Sequence, residues 1–198
     1  MRHDGWPESV QLSRGSVVTV GVFDGFHLGH RALLARAVAE GRRLGLPVVL
    51  VTFDPHPRAV VTDRGAPVPL RSVADRVASA HDAGADHVVV LPFNRSMALT
   101  SAADFVRDGL VGALRCRSLV VGSNFRCGSG GRGDLPFLRR QGHELGFCVT
   151  SVDLVKTASG VCSSTRLREA IKNGEDGVAA ELLGGLDAPP SPQAPRAQ

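Results

Sequence analysis

The sequence is poor in features that mark several common classes of protein. Its 198 residues include four cysteines that form no C-x-x-C pair, so a zinc site of the usual spacing is not indicated, and isolated cysteines are typical of a reducing compartment. The N-terminal region has no signal-peptide apolar stretch, and no apolar run is long enough to span a bilayer. We therefore expect a cytoplasmic protein with no membrane partner.

Aromatic residues are scarce, and the positive charge is diffuse. Aromatics make up 5% of the chain, and the formal net charge of +4 is dispersed over many arginines. Nucleic-acid surfaces usually combine a concentrated basic patch with aromatic side chains. The pattern here instead favours a solvated surface with a local basic anion site, so we expect no nucleic-acid partner.

Three common catalytic or nucleotide-binding motifs are missing as well. No glycine-rich segment ends in G-K-[ST], and the only lysines are Lys156 and Lys172, so a Walker A loop is excluded. No G-x-G-x-x-G follows the first predicted strand, which argues against a dinucleotide oxidoreductase. No serine lies two residues after a glycine, so the G-x-S-x-G of α/β-hydrolases is absent.

What the chain does contain is an alternation of apolar runs and helical patterns. Apolar runs predict strands at 17–20, 47–53, 87–91, 119–121 and 147–155, and helical spacing predicts helices at 31–44, 71–83, 101–114, 134–146, 163–172 and 176–183. Strands that alternate with helices favour an α/β fold with a doubly wound parallel sheet. The order predicts one domain over residues 16–186, preceded by a flexible polar lead-in (1–15) and followed by a disordered proline-rich tail (187–198).

The clearest functional signal is the segment from Gly21 to His30, here called the histidine turn, which joins the first strand to the first helix. Gly21 and Gly25 let the backbone approach a ligand closely, because they have no Cβ. His27 and His30 follow where free N–H groups and the helix dipole favour phosphate, and imidazole adds a hydrogen bond or a charge. Metal ligation by the histidines, or a purely structural turn, are the alternatives.

A glycine-rich loop at 122–133 is a second candidate. It contains five glycines, and Asn124, Arg126 and Arg132 offer donors beside flexible backbone. A mobile surface connection would have the same composition.

The segment 163–166, Ser-Ser-Thr-Arg, is a third candidate. It places three hydroxyls and a guanidinium at a predicted helix start, although an ordinary N-cap with a surface arginine is the alternative. With the histidine turn it would form two phosphate clamps, which suits a triphosphate.

Four motifs in order resemble one protein family. They are G-x-F-D-G-x-H-x-G-H at 21–30, T-F-D-P-H-P at 52–57, V-V-G-S-N-F-R-x-G at 120–128 and S-S-T-R-L-R at 163–168. Followed by A-A-E-L-L-G, they resemble the FMN adenylyltransferase (FAD synthetase) module of bacterial bifunctional riboflavin kinase/FAD synthetases, over about residues 16–185. That module belongs to the H-x-G-H nucleotidyltransferases, so the resemblance implies a Rossmann-like sheet of that type, with a small α/β excursion between strands.

The resemblance also implies an activity and a set of site residues. ATP, taken with Mg²⁺, and FMN would give FAD and pyrophosphate; no metal-binding residue is implied. The implied catalytic residues are His27, His30, Asn124 and Arg166. The implied nucleotide- and flavin-binding residues are Gly21, Phe23, Asp24, Gly25, Gly29, Pro55, Pro57, Gly122, Arg126, Ser163, Ser164 and Thr165. By position, the histidines would act at the α-phosphate, the 163–166 segment would hold the β- and γ-phosphates, and the two prolines would shape the flavin side.

The sequence departs from the family pattern at three places. Cys127 stands where the family usually has an aromatic residue, 183–187 differ from the usual Leu-Gly-Arg-Pro-Tyr, and nothing corresponds to the kinase module. We therefore expect an adenylyltransferase that receives FMN from a separate riboflavin kinase. The alternatives are a diverged transferase for another phosphorylated acceptor and a non-catalytic nucleotide or flavin sensor.

Overall fold

Six parallel strands form the central sheet of the computed structural model, which describes residues 1–7, 12–62 and 65–185. The strands are β1 (Arg2–Asp4), β2 (Ser16–Val20), β3 (Val48–Asp54), β4 (His87–Pro92), β5 (Cys116–Gly122) and β6 (Cys148–Val152). They lie in the order β1-β4-β3-β2-β5-β6, and every neighbouring pair is parallel. The predicted α/β class with a doubly wound parallel sheet is confirmed.

Helices connect the strands and cover the sheet. They are α1 (Leu28–Leu44), α2 (Arg58–Val61), α3 (Val73–Asp82), α4 (Arg95–Leu99), α5 (Ala102–Asp104), α6 (Leu135–Leu145), α7 (Ser164–Lys172) and α8 (Asp176–Leu183). A π-helix, Phe105–Ala113, continues α5, and a short 3₁₀ turn covers Ser129–Gly131. A two-stranded hairpin, β7 (Lys156–Thr157) and β8 (Gly160–Val161), follows β6.

The sheet is buried on both faces. In β2, Val18 belongs to an apolar cluster with Leu110 and Leu138, whereas Val17 belongs to a second cluster with Leu34. Successive residues of a strand point to opposite faces, so a strand covered on both sides is apolar throughout. This is the continuous apolar pattern from which β2 was predicted.

Three predicted helix starts are confirmed by their caps. The Ser101 hydroxyl accepts the Asp104 N–H at 3.0 Å, and the Asp134 carboxylate accepts the Phe137 N–H at 3.0 Å. The Ser163 hydroxyl accepts the Arg166 N–H at 3.2 Å, at the start of α7. Each cap satisfies a backbone donor that the first turn of a helix leaves without a partner.

Other boundaries differ from the predictions. Helix α1 begins at Leu28, three residues before the predicted start, because His27 takes the N-cap position with extended backbone. Helices α2 and α4 were not predicted, since four or five residues are too few to show a helical period. The predicted strand at 147–155 ends at Val152, and the β7–β8 hairpin follows it.

The N-terminal segment joins the sheet, although its polar sequence predicted a flexible lead-in. Strand β1 pairs with β4, Trp6 packs on Phe105 with ring centroids 5.8 Å apart, and Leu12 is buried. A three-residue edge strand is held mainly by backbone hydrogen bonds, so its side chains give no apolar signal. The predicted tail, 187–198, lies outside the described residues.

The strand order locates the place where a ligand would bind. Strands β3 and β4 lie in succession on one side of β2, and strands β5 and β6 lie in succession on its other side. Open α/β sheets bind ligands at this switch point, beyond the carboxyl ends of the strands. Among the described residues, no helix combines the length and the apolar character that crossing a membrane requires.

Candidate active site

A cleft of about 390 Å³ opens beyond the carboxyl ends of β2 and β5. Most of the residues expected on the nucleotide side line it: Gly21, His27, Gly29, His30, Gly122, Asn124, Ser163, Ser164 and Thr165. The histidine turn and the start of α7 are far apart in sequence, and the fold brings them to one cavity.

His27 and His30 lie face to face in this cleft. Their ring centroids are 3.8 Å apart, with an angle of 22° between the planes. Gly29 leaves room for the stack, because a Cβ at that position would lie 3.1 Å from the His27 ring. The fully buried Phe23 ring backs His30, at a centroid distance of 5.0 Å. Packing therefore fixes the orientation of both imidazoles.

Burial determines how the two imidazoles can act. Nδ1 of each ring is buried without a hydrogen-bond partner among the described residues, so Nε2 is the nitrogen that each ring can offer to a ligand. Burial lowers the pKa of His27 to about 4, and burial followed by the nearby His27 lowers the pKa of His30 well below 6.5. Both rings are therefore neutral at pH 7 and can donate a hydrogen bond.

The backbone of the histidine turn is strained. Phe23 and Phe26 have φ angles of 54° and 47°, in the left-handed region that residues other than glycine rarely adopt. Gly25 has a φ angle of 84°, and a Cβ there would lie 2.8 Å from the Leu70 side chain. Such conformations cost about 1–3 kcal/mol each and persist where packing enforces them, often at functional sites.

Two helices direct their N-termini at the cleft. Helix α1 begins after His27 without a side-chain cap, and helix α7 begins after the Ser163 cap. Neither helix has an acidic residue in its first turn. The positive ends of two dipoles, with their backbone N–H groups, therefore face the same cavity and favour bound anions.

Asp24 joins the histidine turn to two other segments. The residue is 3% exposed, and its carboxylate accepts the N–H groups of Leu70 at 3.0 Å and Arg71 at 3.1 Å and forms an ion pair with Arg168. Its carbonyl oxygen accepts the Ser164 hydroxyl at 2.7 Å. The Asp24 carboxylate is thus engaged within the protein and does not line the cleft; its expected role in nucleotide binding stays a prediction.

Arg76 ties the histidine turn to the end of β3. Its guanidinium Nη1 donates to the carbonyl oxygens of Val22 at 3.0 Å and Phe53 at 3.1 Å, and to the Thr52 hydroxyl at 3.2 Å. Arg76 is only 7% exposed. The helical pattern of α3 did not predict this burial, since an arginine within a helix is usually solvated.

The two arginines of the S-S-T-R-L-R motif point to different places. The Arg166 guanidinium pairs with Glu175 at 2.9 Å and does not line the cleft, whereas Arg168 does line it. The spacing of two residues on a helix separates their directions by roughly 200°. The expected contact of Arg166 with phosphate stays a prediction that would require Arg166 to leave Glu175.

An apolar cavity of about 440 Å³ adjoins the cleft. Its walls are mostly aromatic or aliphatic and include Phe53, Pro57, Phe93, Met97 and Phe105, and the two cavities share Val20 and Phe125. Of the two prolines expected on the flavin side, Pro57 lines this cavity and Pro55 lines neither cavity. Arg126, expected to bind nucleotide or flavin, lines the apolar cavity as well.

Cys127 also lines the apolar cavity. Burial raises the pKa of its thiol to about 12, so the side chain stays protonated and behaves as a small apolar group.

The described residues contain no group of three or more His, Cys, Asp or Glu side chains placed to hold a metal ion. Asp153 is the one carboxylate among the described residues that line the cleft. The described residues therefore provide no third side chain of these types that could complete a metal site with His27 and His30.

Four polar residues of the cleft were not singled out from the sequence: His56, Arg58, Asp153 and Arg168. His56 and Arg58 follow β3, and a rigid Asp-Pro-His-Pro turn at a strand's carboxyl end was a signal for them. Arg168 ends the S-S-T-R-L-R motif, but only the helix geometry shows which of its two arginines lines the cleft.

The sequence profile of the FAD synthetase family matches residues 9–166. The bifunctional riboflavin kinase/FMN adenylyltransferase of Escherichia coli K12 is 38% identical over 170 residues, which cover 86% of this chain and 54% of the relative. A Geobacillus thermodenitrificans protein, provisionally named for the same two activities, is 39% identical over 171 residues and is covered over 90% of its length. The chain thus spans about half the length of most of the curated relatives that it matches.

Solved structures share the fold of this chain. A crystal structure described as a macrolide-efflux protein from Streptococcus pneumoniae superposes with a TM-score of 0.76 at 28% identity, over 86% of this chain and 55% of that one. Pantoate-beta-alanine ligase from Francisella tularensis shares the fold, with a TM-score of 0.59 at 11% identity, over 88% and 77%. The family profile and the curated relatives show that this chain belongs to the FAD synthetase family.

Proposed function

We propose that this domain is an FMN adenylyltransferase, which converts ATP and FMN into FAD and pyrophosphate. The main support is the junction of two unlike cavities: a cleft rich in anion donors and an apolar cavity, which share Val20 and Phe125. FMN combines an apolar ring system with a phosphate, and ATP brings a triphosphate. A site for the two must place an apolar surface beside a phosphate-binding one.

Two parts of the cleft lining are suited to binding ATP. The N-termini of α1 and α7, with the Ser163 and Thr165 hydroxyls, offer donors for phosphate oxygens. Leu154 and Val161 form an apolar, partly exposed wall of the same cleft and offer a surface for the adenine base.

In the proposed reaction, a phosphate oxygen of FMN attacks the α-phosphorus of ATP. A new P–O bond forms as the bond from the α-phosphorus to the bridging oxygen breaks, and the electron pair leaves with pyrophosphate. The phosphate is already a nucleophile, so no protein base and no covalent enzyme intermediate are needed. Nε2 of His27 and of His30 would donate hydrogen bonds to oxygens on the α-phosphate, where negative charge accumulates.

Mg²⁺ is part of the proposal as the partner of ATP. It usually binds through substrate phosphates, waters and one or two carboxylates, and Asp153 is available in the cleft. When bound, it would neutralise charge on the phosphates.

The cellular setting is also a proposal. We expect a cytoplasmic enzyme that receives FMN from a separate riboflavin kinase activity. All four cysteines are free thiols, which supports a reducing compartment.

Incubation of the purified chain with ATP, Mg²⁺ and FMN tests this proposal. We expect FAD and pyrophosphate in equal amounts by chromatography, and no FMN from riboflavin and ATP. A parallel panel of other phosphorylated acceptors checks the acceptor class. Turnover of another acceptor without FMN turnover, or ATP binding without consumption, would contradict the proposal.

A further inference from the structure

The turn after β3, residues 54–58, forms part of the wall between the two cavities. Pro57 lines the apolar cavity, whereas its neighbours His56 and Arg58 line the cleft. An acceptor with its ring in the apolar cavity and its phosphate in the cleft must pass beside this turn. The side chains on the cleft side of the turn are therefore positioned near the acceptor phosphate.

The tautomer of His56 is determined by the backbone. Its Nδ1 accepts the N–H of Arg58 at 3.1 Å, so Nδ1 carries no proton, and Nε2 of the neutral ring must carry one. Within the described part of the chain, Nε2 makes no hydrogen bond. His56 therefore presents a donor whose orientation the turn already holds and which has no protein partner.

Three guanidinium groups and one carboxylate lie near enough to this donor to affect it. Burial, and after it the charge of Arg168, lowers the pKa of His56; the Asp24 carboxylate opposes this shift, and Arg58 and Arg76 add smaller lowering contributions. The side chain of Arg58 forms no ion pair with the described residues. Hence an anion beside His56 would meet a neutral N–H donor and a guanidinium that is available to it.

We infer that His56 is a further binding residue for the acceptor: its Nε2–H donates to the phosphate of the flavin, with Arg58 adding charge, and this contact lets the site select phosphorylated over unphosphorylated flavin. The inference rests on the proposed function. It differs from the roles of His27 and His30, which lie at the start of α1 and act on ATP.

Two substitutions separate the donor from the structural contact. His56→Asn keeps an acceptor near the position of Nδ1, and so can hold the Arg58 N–H, but it has no donor near Nε2. His56→Gln places an amide N–H near Nε2 and gives up the acceptor at Nδ1. His143→Asn is the matched control, because His143 is exposed on α6 and lines neither cavity.

The measurement compares the affinities of FMN, riboflavin and ATP for the whole chain. Trp6, the single tryptophan, contacts Phe105 of the apolar cavity, so quenching of its fluorescence reports flavin binding, and calorimetry reports ATP. We expect the wild type and His143→Asn to bind FMN more tightly than riboflavin. His56→Asn should reduce that preference by about tenfold or more, with riboflavin and ATP affinities unchanged, and His56→Gln should restore part of it.

Other outcomes of this binding experiment would contradict either the role of His56 or the proposed function. An unchanged FMN preference in His56→Asn, an equal loss for both flavins, or a loss confined to ATP would overturn the role of His56 and leave the proposed function in place. A wild type that binds neither flavin would overturn the proposed function, and the role of His56 with it.

Discussion

The stacked imidazoles of His27 and His30 illustrate how a local environment selects a chemical role. An exposed histidine is partly protonated near neutral pH, but burial keeps both of these rings neutral. They can therefore stabilise charge that develops during the reaction through directed hydrogen bonds. A phosphate already present in bound ATP would gain less from them.

His30→Ala tests this role. Because the His30 donor would act mainly on charge formed in the transition state, we expect kcat to fall about 10²–10³-fold while ATP affinity changes little. Steady-state kinetics with separate ATP titrations measure the two effects. Full kcat combined with weaker ATP binding would make the histidine turn a docking element instead.

The depressed pKa of His27 predicts a dependence of stability on pH. A histidine with a pKa of about 4 when folded and 6.5 when unfolded binds fewer protons in the folded state between those values. Its contribution should lower the unfolding free energy as the pH falls from about 6.5 to 4, by about 3 kcal/mol, and should vanish above 6.5. The unfolding free energies of the wild type and His27→Asn, measured by denaturant titration at several pH values, should depend differently on pH across that window. If the two plots of unfolding free energy against pH are parallel, the shift is contradicted.

The two arginines of α7 give a third test at the residue scale. Both are paired, Arg168 with Asp24 and Arg166 with Glu175, but only Arg168 lines the cleft. Arg168→Ala should therefore weaken ATP binding by about 1.5–3 kcal/mol, more than Arg166→Ala does. Calorimetric titration of ATP into each variant measures this. A larger loss of ATP affinity in Arg166→Ala would mean that Arg166 leaves Glu175 and binds the phosphates, as the family resemblance implies.

At the scale of elements, one buried carboxylate holds three segments together. Asp24 binds the backbone before α3, the Arg168 side chain of α7 and, through its carbonyl oxygen, the Ser164 hydroxyl. The start of α7 and the histidine turn are therefore fixed relative to each other. This link joins the two elements that the proposed function assigns to phosphate binding.

Asp24→Asn should weaken that link. Loss of one partner of a buried ion pair leaves Arg168 uncompensated, so we expect the unfolding free energy to fall by about 3 kcal/mol in chemical denaturation. Asp108→Asn, which removes an exposed ion pair with Arg107, is the control and should leave the denaturation midpoint almost unchanged. Equal effects of the two substitutions would contradict the anchoring role.

Sequence patterns predicted the main elements because strands buried on both faces read as apolar runs and helices end in recognisable caps. They did not predict β1, α2 or α4, since short elements show no period and are held by tertiary contacts. They placed the histidine turn and the start of α7 correctly as helix N-termini. They could not separate Arg166 from Arg168 or show that Arg76 is buried, because side-chain direction depends on the packing of other elements.

At the scale of the whole molecule, the doubly wound sheet brings four distant motifs to one edge. The strand order reverses between β2 and β5, and the cleft opens there. The turn after β3 and the loop after β5 complete the adjoining apolar cavity. This arrangement would let the two proposed substrates, which differ in polarity, react at one junction.

The fate of the phosphates of ATP tests the proposed adenylyl transfer most directly. The chain is incubated with FMN, Mg²⁺ and ATP labelled either at the α- or at the γ-phosphate, and the products are separated. We expect the α-label in FAD and the γ-label in pyrophosphate, in equal amounts, with no label on the protein. A γ-label on the acceptor, an α-label confined to AMP, or a labelled protein would contradict direct adenylyl transfer.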